Sequence, residues 1–409
     1  MSDTPATRGR VREVFHAFLL LGLTSFGGPI AHLGYFRTEF VERRRWLTEQ
    51  AYADLVALCQ FLPGPASSQV GFALGLMRGG PGGAAAAWAA FTLPSAIVLV
   101  LFALGAATLD GPVSQGIIHG LKVTAVAIVA HAVWGMAKSL CPDRQRAGIA
   151  LAAVFTVVLV SGPLGQVAAI VIGALAGMAL CRPHAEAEAA PLTLPVSPRA
   201  GYLAGAAFAA LLVGLPLLAW AAPSATLAVM DAFYRAGALV FGGGHVVLPL
   251  LEAEVVQSGW VAPDDFLAGY GAAQAVPGPL FTFAAYLGSV IGGSVMGGSV
   301  MAPLGGGLFT AALALAMIFL PGLLLLVAVL PHWARFRRWD SAQALMRGAN
   351  AAVVGILGAA LYQPVWTSAI LGSREFALAL TGFLLLSVWK LPAWAVVALL
   401  AGGGVLIAP

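Results

Sequence analysis

The sequence predicts an all-α, polytopic integral membrane protein made of two inverted-topology repeats, with helices broken or re-entrant at Gly-Gly and Pro-Gly-Pro motifs. Three observations carry that expectation: a composition too apolar for water, a set of motifs that occurs twice in the same order, and an odd number of apolar segments ahead of the second copy. Of the 409 residues, 60% are hydrophobic and 9% charged, where a soluble domain carries roughly 25% charged residues. A span needs roughly 20 apolar residues to cross a hydrocarbon core of about 30 Å. The chain has many such stretches and no long polar domain.

Apolar segments lie at 14–33, 52–76, 84–107, 115–138, 147–161 and 165–180. A stretch rich in Pro and Ala follows from Arg182 to Arg199, with the composition of a solvated linker. Seven more segments come after it, at 200–221, 226–250, 265–290, 306–330, 342–363, 376–389 and 393–408. Phe26-Gly27-Gly28 recurs as Phe241-Gly242-Gly243, and Trp46-Leu47 as Trp260-Val261. Gln60-Phe61-Leu62-Pro63-Gly64-Pro65 recurs as Gln274-Ala275-Val276-Pro277-Gly278-Pro279. Leu93-Pro94 matches Leu320-Pro321, Gln115 matches Gln343, and Gly120-Leu121-Lys122 matches Gly348-Ala349-Asn350. The offsets drift only from 214 (60 to 274) to 228 (120 to 348), so the chain reads as a duplication. The segment 200–221 has no counterpart, and an odd number of crossings before the second copy flips it, the inverted-repeat plan of many transporters. The expected division is 1–181 for the first repeat, 182–199 for the linker, 200–221 for the extra helix and 222–409 for the second repeat.

Charge agrees with the flip. The loop at 37–45 carries Arg37, Arg43, Arg44 and Arg45, whereas its counterpart carries Glu252, Glu254, Asp264 and Asp265 and no Lys or Arg. Positive loops prefer the cytoplasm. Arg8, Arg10 and Arg12 belong inside too, yet the 14–33 segment separates them from the 43–45 run. If 14–33 and 52–76 are re-entrant hairpins, every Lys and Arg lies inside except Arg374 outside and Lys122, Arg235 and Arg347 within the membrane. If they cross fully, Arg37, Arg43, Arg44 and Arg45 move outside. The apolar arm Val14–Phe26 spans only about 20 Å of helix, which favours hairpins. Either way the two termini lie on opposite sides.

The paired breaks are the candidate site. Irregular backbone within a bilayer is tolerated where it is buried in protein or lines a wet cavity, and a half-helix starting there offers free N–H groups and a partial positive charge to an anion. Ser67, Ser68, Gln69 and Thr282 follow the Pro-Gly-Pro turns and add neutral donors. Lys122 is an intramembrane cation with Asn350 at the equivalent position; its competing role is a structural partner for Asp54. Arg235 reads as an i, i+4 ion pair with Asp231, and Arg347 as a gate or a loop charge. His32, His119, His131 and His245 are candidate proton relays or satisfied core histidines, with His245 singled out after Gly242-Gly243-Gly244. Gly71/Gly75, Gly173/Gly177, Gly201/Gly205 and Gly288/Gly292 have the spacing of helix-packing glycines.

The chain contains no GxxxxGK[ST], HExxH or GxSxG, so no P-loop, zinc-protease or hydrolase chemistry is expected. Cys59, Cys141 and Cys181 lack metal-ligand spacing. No catalytic site, metal or cofactor is expected, and the net charge of +4 reflects membrane orientation, not nucleic-acid binding. The N-terminal apolar stretch lacks a cleavage site and reads as retained.

Phe26-Gly27-Gly28-Pro29-Ile30-Ala31-His32-Leu33, Arg44-Arg45-Trp46-Leu47 and Gln60 to Pro65 together resemble the signature of the chromate ion transporter family. The second-half run Phe241 to Pro249 with Gln274 to Pro279 resembles that family's C-terminal repeat. The resemblance implies a bacterial inner-membrane exporter of chromate, and half-length members that work in pairs fit the duplication. It carries site roles to Phe26, Gly27, Gly28, Pro29, Gln60, Pro63, Gly64 and Pro65, and to the counterparts Phe241, Gly242, Gly243, Gly244, Gln274, Pro277, Gly278 and Pro279; His245 joins the candidate set from its own place after the glycines, with Ile30 at its counterpart position. Ser67, Lys122, Thr282 and Asn350 complete the candidate substrate-binding set. The expected partners are chromate or a related oxyanion, membrane lipid and a second copy as a homodimer, with a cytoplasmic N-terminus. Sulfate transport, a passive anion channel and an intramembrane lipid-phosphate enzyme remain alternatives.

Overall fold

The computed structural model describes residues 5–106, 111–181, 196–294, 302–336 and 339–407, and among them the regular structure is entirely helical. Most of the expected linker, 182–195, lies outside the described residues. Among the described residues six helices are long and apolar enough to cross a membrane: Ala66–Gly105, Pro112–Leu140, Pro163–Leu180, Pro198–Ala221, Gly306–His332 and Asp340–Ala369. The chain is a multi-pass helical membrane protein.

The first half runs α1 (Pro5–Thr24), α2 (Gly28–Phe36), a π-helical turn (Arg37–Arg43), α3 (Glu49–Phe61), α4 (Ala66–Ala106), α5 (Pro112–Leu140), α6 (Arg144–Leu159) and α7 (Pro163–Leu180). After α8 (Pro198–Ala221) come α9 (Ala225–Ala238), α10 (Val247–Leu251), a second π turn (Glu252–Val256), α11 (Pro263–Ala273), α12 (Phe283–Ser294) and α13 (Ala302–Val329). The chain ends with α14 (Trp333–Phe336), α15 (Asp340–Ala360), a third π turn (Leu361–Trp366), α16 (Thr367–Ala369), α17 (Ser373–Ser387) and α18 (Ala393–Ile407). Each half thus opens with a helix, a Gly-Gly break, a short helix and a π turn, then a helix, a Pro-Gly-Pro break and a further helix.

Helix starts follow local chemistry. Thr48, Asp143, Ser197 and Ser224 cap α3, α6, α8 and α9 by accepting backbone N–H groups, which satisfies donors that have no partner inside the helix. Pro112, Pro163, Pro198 and Pro263 stand in first turns, where the missing N–H costs nothing.

The segments 52–76 and 84–107 keep the break expected at Pro63-Gly64-Pro65 but differ from expectation in running together. The first is split at Leu62–Pro65, and its second arm runs into the next segment as α4. Only Gly79 and Gly80 leave helical geometry within α4. The two arms fold closely together there: a Cβ on Gly75 would fall 2.4 Å from the Gly83 carbonyl oxygen. The pair α12 and α13 packs in the same way, with Gly288 against Thr310 and Gly292 against Gly306. Gly173 and Gly177 press on Ala352 and Gly348 of α15. Small residues here let backbones approach, as packing in lipid requires.

The core has two parts. One joins α1–α4 to the end of α13 through fully buried Phe18, Phe36, Phe40 and Phe91, and the other holds the remaining helices together. By contrast α8 stands at the edge, with 6% of its most apolar 18-residue stretch buried.

Candidate functional site

Four breaks interrupt the helices, at Ser25–Gly27, Leu62–Pro65, Leu239–Gly243 and Gln274–Pro279. They are docked on one another reciprocally. The Gly64 N–H donates to the Val240 carbonyl (2.7 Å), and the Gly278 N–H donates to the Ser25 carbonyl (3.0 Å). Each Pro-Gly-Pro turn is therefore fastened to the residue just before the other half's Phe-Gly-Gly. Gly64 has φ +119° and Gly278 φ +100°, a region in which a side chain is strained. A Cβ on Gly64 would lie 2.9 Å from Gly322 Cα, and one on Gly278 2.8 Å from Ser95 Oγ. Ser95 and Gly322 each follow the repeated Leu-Pro pair, so those pairs deliver the helices that press on the turns.

The two Gly-Gly breaks also face each other. A Cβ on Gly244 would lie 3.0 Å from Pro29 Cγ, and one on Gly28 4.0 Å from His245 Nε2. His245 Nδ1 is hydrogen-bonded to the Tyr270 hydroxyl (2.9 Å). Gln274 lies four residues beyond Tyr270, hence on the same helix face, and its Nε2 has no hydrogen-bond partner among the described residues. Asn350 stands beside Gly242, its Oδ1 3.6 Å from where a Cβ would be, and that oxygen too is without a partner. His131 Nδ1 shares this condition. Beside the second-half breaks, the Gln274 amide N–H and the Asn350 amide oxygen thus stand without partners among the described residues.

The first-half breaks mix bonded and free groups, the Ser25 hydroxyl and Gln69 Oε1 having no partner among the described residues. His32 is completely buried, with Nε2 donating to the Ser25 carbonyl (3.2 Å) and Nδ1 3.5 Å from Ser67 Oγ. Gln69 Nε2 donates to the carbonyls of Pro63 (3.0 Å) and Gly322 (2.9 Å), stapling the turn to α13. Thr282 Oγ1 donates to Pro279 of its own turn (2.7 Å). Ser68 is buried with a free hydroxyl. Phe26, Gly27, Gly28, Pro29, Pro63, Phe241, Gly242, Gly243 and Pro277 keep partial or full exposure, and Gln60 is exposed at the end of α3. Gly64, Pro65 and Pro279 are buried.

Lys122 departs from its expected role. Its ammonium donates to Asp264 Oδ1 (2.9 Å), at the start of α11, so it neither stands free for an anion nor serves Asp54. Arg235 makes the expected pair with Asp231 (3.0 Å) and also a bidentate pair with Glu254 (both bonds 2.8 Å). Arg347 donates to Gln343 (3.3 Å), and His119 pairs with Glu375 (3.4 Å). Tyr270 went unnoticed in the sequence, although its position one turn before Gln274 was a readable sign.

At the membrane face, charge gathers into a cluster. Glu13 of α1 binds Arg78, at the end of the first arm of α4, at 2.9 Å, and approaches Arg44 at 3.9 Å. Arg78 and Arg44 both lie over the Trp46 ring, at 5.4 and 5.9 Å. Arg44 and Arg43 bind Glu39, while Arg37 binds Glu49 at the start of α3 (2.7 Å).

Helices interrupted in matched pairs, with polar groups held between the interruptions, are a plan found among membrane transport proteins. The chain belongs to the chromate transporter family, whose model matches residues 12–178 and 227–407. It is similar to the chromate transport protein of Pseudomonas aeruginosa, at 27% identity over 96% of this chain and 90% of that one. The probable chromate transport protein of Synechococcus elongatus is 27% identical over 86% of this chain and 84% of its own length. The chromate transport protein of Cupriavidus metallidurans is 27% identical, covering 86% and 82%. No solved structure matches the chain. These relatives are named transport proteins, not enzymes.

Proposed function

We propose that the chain is a secondary transporter that exports chromate across a bacterial inner membrane by alternating access between two inverted repeats. The repeats are 1–181 and 222–409, joined by a linker at 182–199 and the extra helix 200–221. The observation that carries the reading is the reciprocal docking of the breaks around Gln274, Asn350 and His245. Chromate is a tetrahedral dianion, and neutral N–H donors with half-helix N-termini suit it without trapping it. The seat is assigned to Phe26–Pro29, Gln60, Pro63–Pro65 and Ser67, and to Phe241–His245, Gln274, Pro277–Pro279, Thr282 and Asn350. Lys122 acts there only if its pair with Asp264 opens.

Re-entrant hairpins are part of the proposal, and the ion pairs support them. Full crossing of 14–33 would put Glu13 and Arg44 on opposite faces, yet they lie 3.9 Å apart. Full crossing of 226–250 would separate Glu252 from Gly162 and Gln363, yet all three line one cavity. Hairpins put each of these groups on a single face, with the N-terminus in the cytoplasm and the 252–265 loop outside. With the interior negative, moving a dianion outward gains about 4.6 kcal/mol per 100 mV, so the potential alone is an adequate driving force.

The test is chromate uptake into inverted membrane vesicles under an imposed potential, with and without excess sulfate. Saturable, potential-dependent accumulation that sulfate does not suppress is the expected result. Equal competition by sulfate would make this a general oxyanion carrier. The absence of chromate flux from folded protein would refute the substrate.

A further inference from the structure

Away from the breaks, the second π turn opens on a cavity of about 640 Å³ beside α6, α7 and α15. The carboxylate in its lining is Glu252, 8% exposed, whose side chain accepts one hydrogen bond among the described residues, from Gln257 Nε2 (3.1 Å). The groups facing it are neutral. The α6 and α15 helices present apolar side chains and Gly358, while α7 presents Gln166, whose amide is held by the Pro249 carbonyl (2.7 Å). The turn after α6 adds Ser161, and the third π turn adds Gln363 and Tyr362, the other titratable group in the lining. The neighbouring Glu254 is already paired with Arg235, so no cation among the lining residues balances Glu252.

We infer that Glu252 is a proton-binding site coupled to oxyanion transport and reached through this cavity; the coupling rests on the function proposed above. A buried carboxylate without a counter-charge is costly to keep ionised, and two remedies exist. A bound metal cation needs several oxygen ligands, as the six to eight around calcium illustrate. Here Glu252 is the one charged oxygen ligand in the lining, and no group of three or more His, Cys, Asp or Glu side chains gathers among the described residues to hold a metal ion, which leaves the proton as the ligand that fits. Glu252 lies outside the six spans, and burial pushes its carboxyl up to about 7, against the opposing Gln257 bond. It thus exchanges protons near neutrality, where a carrier must both load and unload. The hairpin topology opens the cavity to the outer face, so the proton enters from the side to which the oxyanion leaves.

Purified protein in chromate-loaded proteoliposomes tests this with wild type and Glu252→Gln. A pH gradient imposed at zero potential should drive chromate flux in wild type, with up to about a tenfold change per pH unit. Glu252→Gln should lose that response while keeping chromate–chromate exchange. A variant that keeps the gradient response overturns the inference, as does a wild type that carries chromate with no response to pH. Infrared difference spectra of wild type between about pH 5 and about pH 9 should contain a titrating carboxyl band centred near neutrality, absent in Glu252→Gln. A wild type without such a band also overturns it, whether or not the variant folds. If wild type moves no chromate at all, the substrate fails, and the infrared titration still decides whether Glu252 is the proton site.

Discussion

Replacing Gln274 by Met should move stability and transport in opposite directions. The change keeps the volume and removes an amide whose Nε2 has no partner among the described residues. An unsatisfied buried donor costs about 1–3 kcal/mol, so the variant should equal or exceed wild type in stability by about 1 kcal/mol. Hydrogen bonds to charged ligands contribute about 1.5–3 kcal/mol, so the apparent affinity for chromate should fall roughly ten- to hundredfold. Gln69→Met supplies the contrast. Its Nε2 donates to Pro63 and Gly322, and losing two bonds of about 0.5–1.5 kcal/mol each destabilises the fold by about 1–3 kcal/mol. Denaturation by SDS in mixed micelles reads the first quantity and vesicle uptake the second. The reasoning is refuted if Gln274→Met is as destabilising as Gln69→Met and its uptake falls only in proportion to the folded fraction.

Gly64→Ala and Gly278→Ala should each destabilise by about 2–4 kcal/mol, from backbone strain of about 1–3 kcal/mol plus the close contacts, whereas Gly214→Ala, with open space around it, should be neutral; SDS denaturation checks all three. Arg235→Met should cost about 3 kcal/mol, because it leaves Asp231 and Glu254 unpaired in a partly buried site, and thermal aggregation assays of the detergent-purified protein would detect it. In a chain freed of native cysteines, Arg45→Cys should react with an impermeant thiol reagent from the cytoplasmic side and Ser258→Cys from the opposite side. Labelling of Arg45→Cys from outside would mean that 14–33 crosses fully.

What the sequence revealed and what it hid divide along chain distance. The breaks were legible because Gly-Gly and Pro-Gly-Pro act on their own backbone, and their recurrence marked them as more than packing kinks. The Arg235–Asp231 pair was legible for the same reason, four residues apart on one helix. Glu254, which completes that cluster, lies 19 residues away beyond a break, and no periodicity connects the two. Lys122 and Asp264 are 142 residues apart, so the ammonium looked free, and an anion seemed its natural partner. The reciprocal bonds from Gly64 to Val240 and from Gly278 to Ser25 were hidden for a further reason. They join backbone atoms, which every residue possesses, so no side-chain pattern announces them.

That docking also bears on how such a protein can move. Each Pro-Gly-Pro turn is held by a backbone bond to the opposite half, and each is pressed by the residue after the opposite half's Leu-Pro. A turn cannot shift without disturbing a helix of the other repeat, so a displacement at one seat is transmitted to its counterpart through contacts of about 3 Å. Uncommitted polar groups stand at both sets of breaks, Gln274 Nε2 and Asn350 Oδ1 in the second half and the Ser25 and Ser68 hydroxyls and Gln69 Oε1 in the first, while His32 and the Gln69 Nε2 are bonded into the fold. Binding that draws Gln274 and Asn350 inward would pull on Gly278 and Gly242, and hence on Ser25, the carbonyl that also accepts from His32. The Ser25 carbonyl is thus the atom through which a shift of the second-half Pro-Gly-Pro turn reaches the first half.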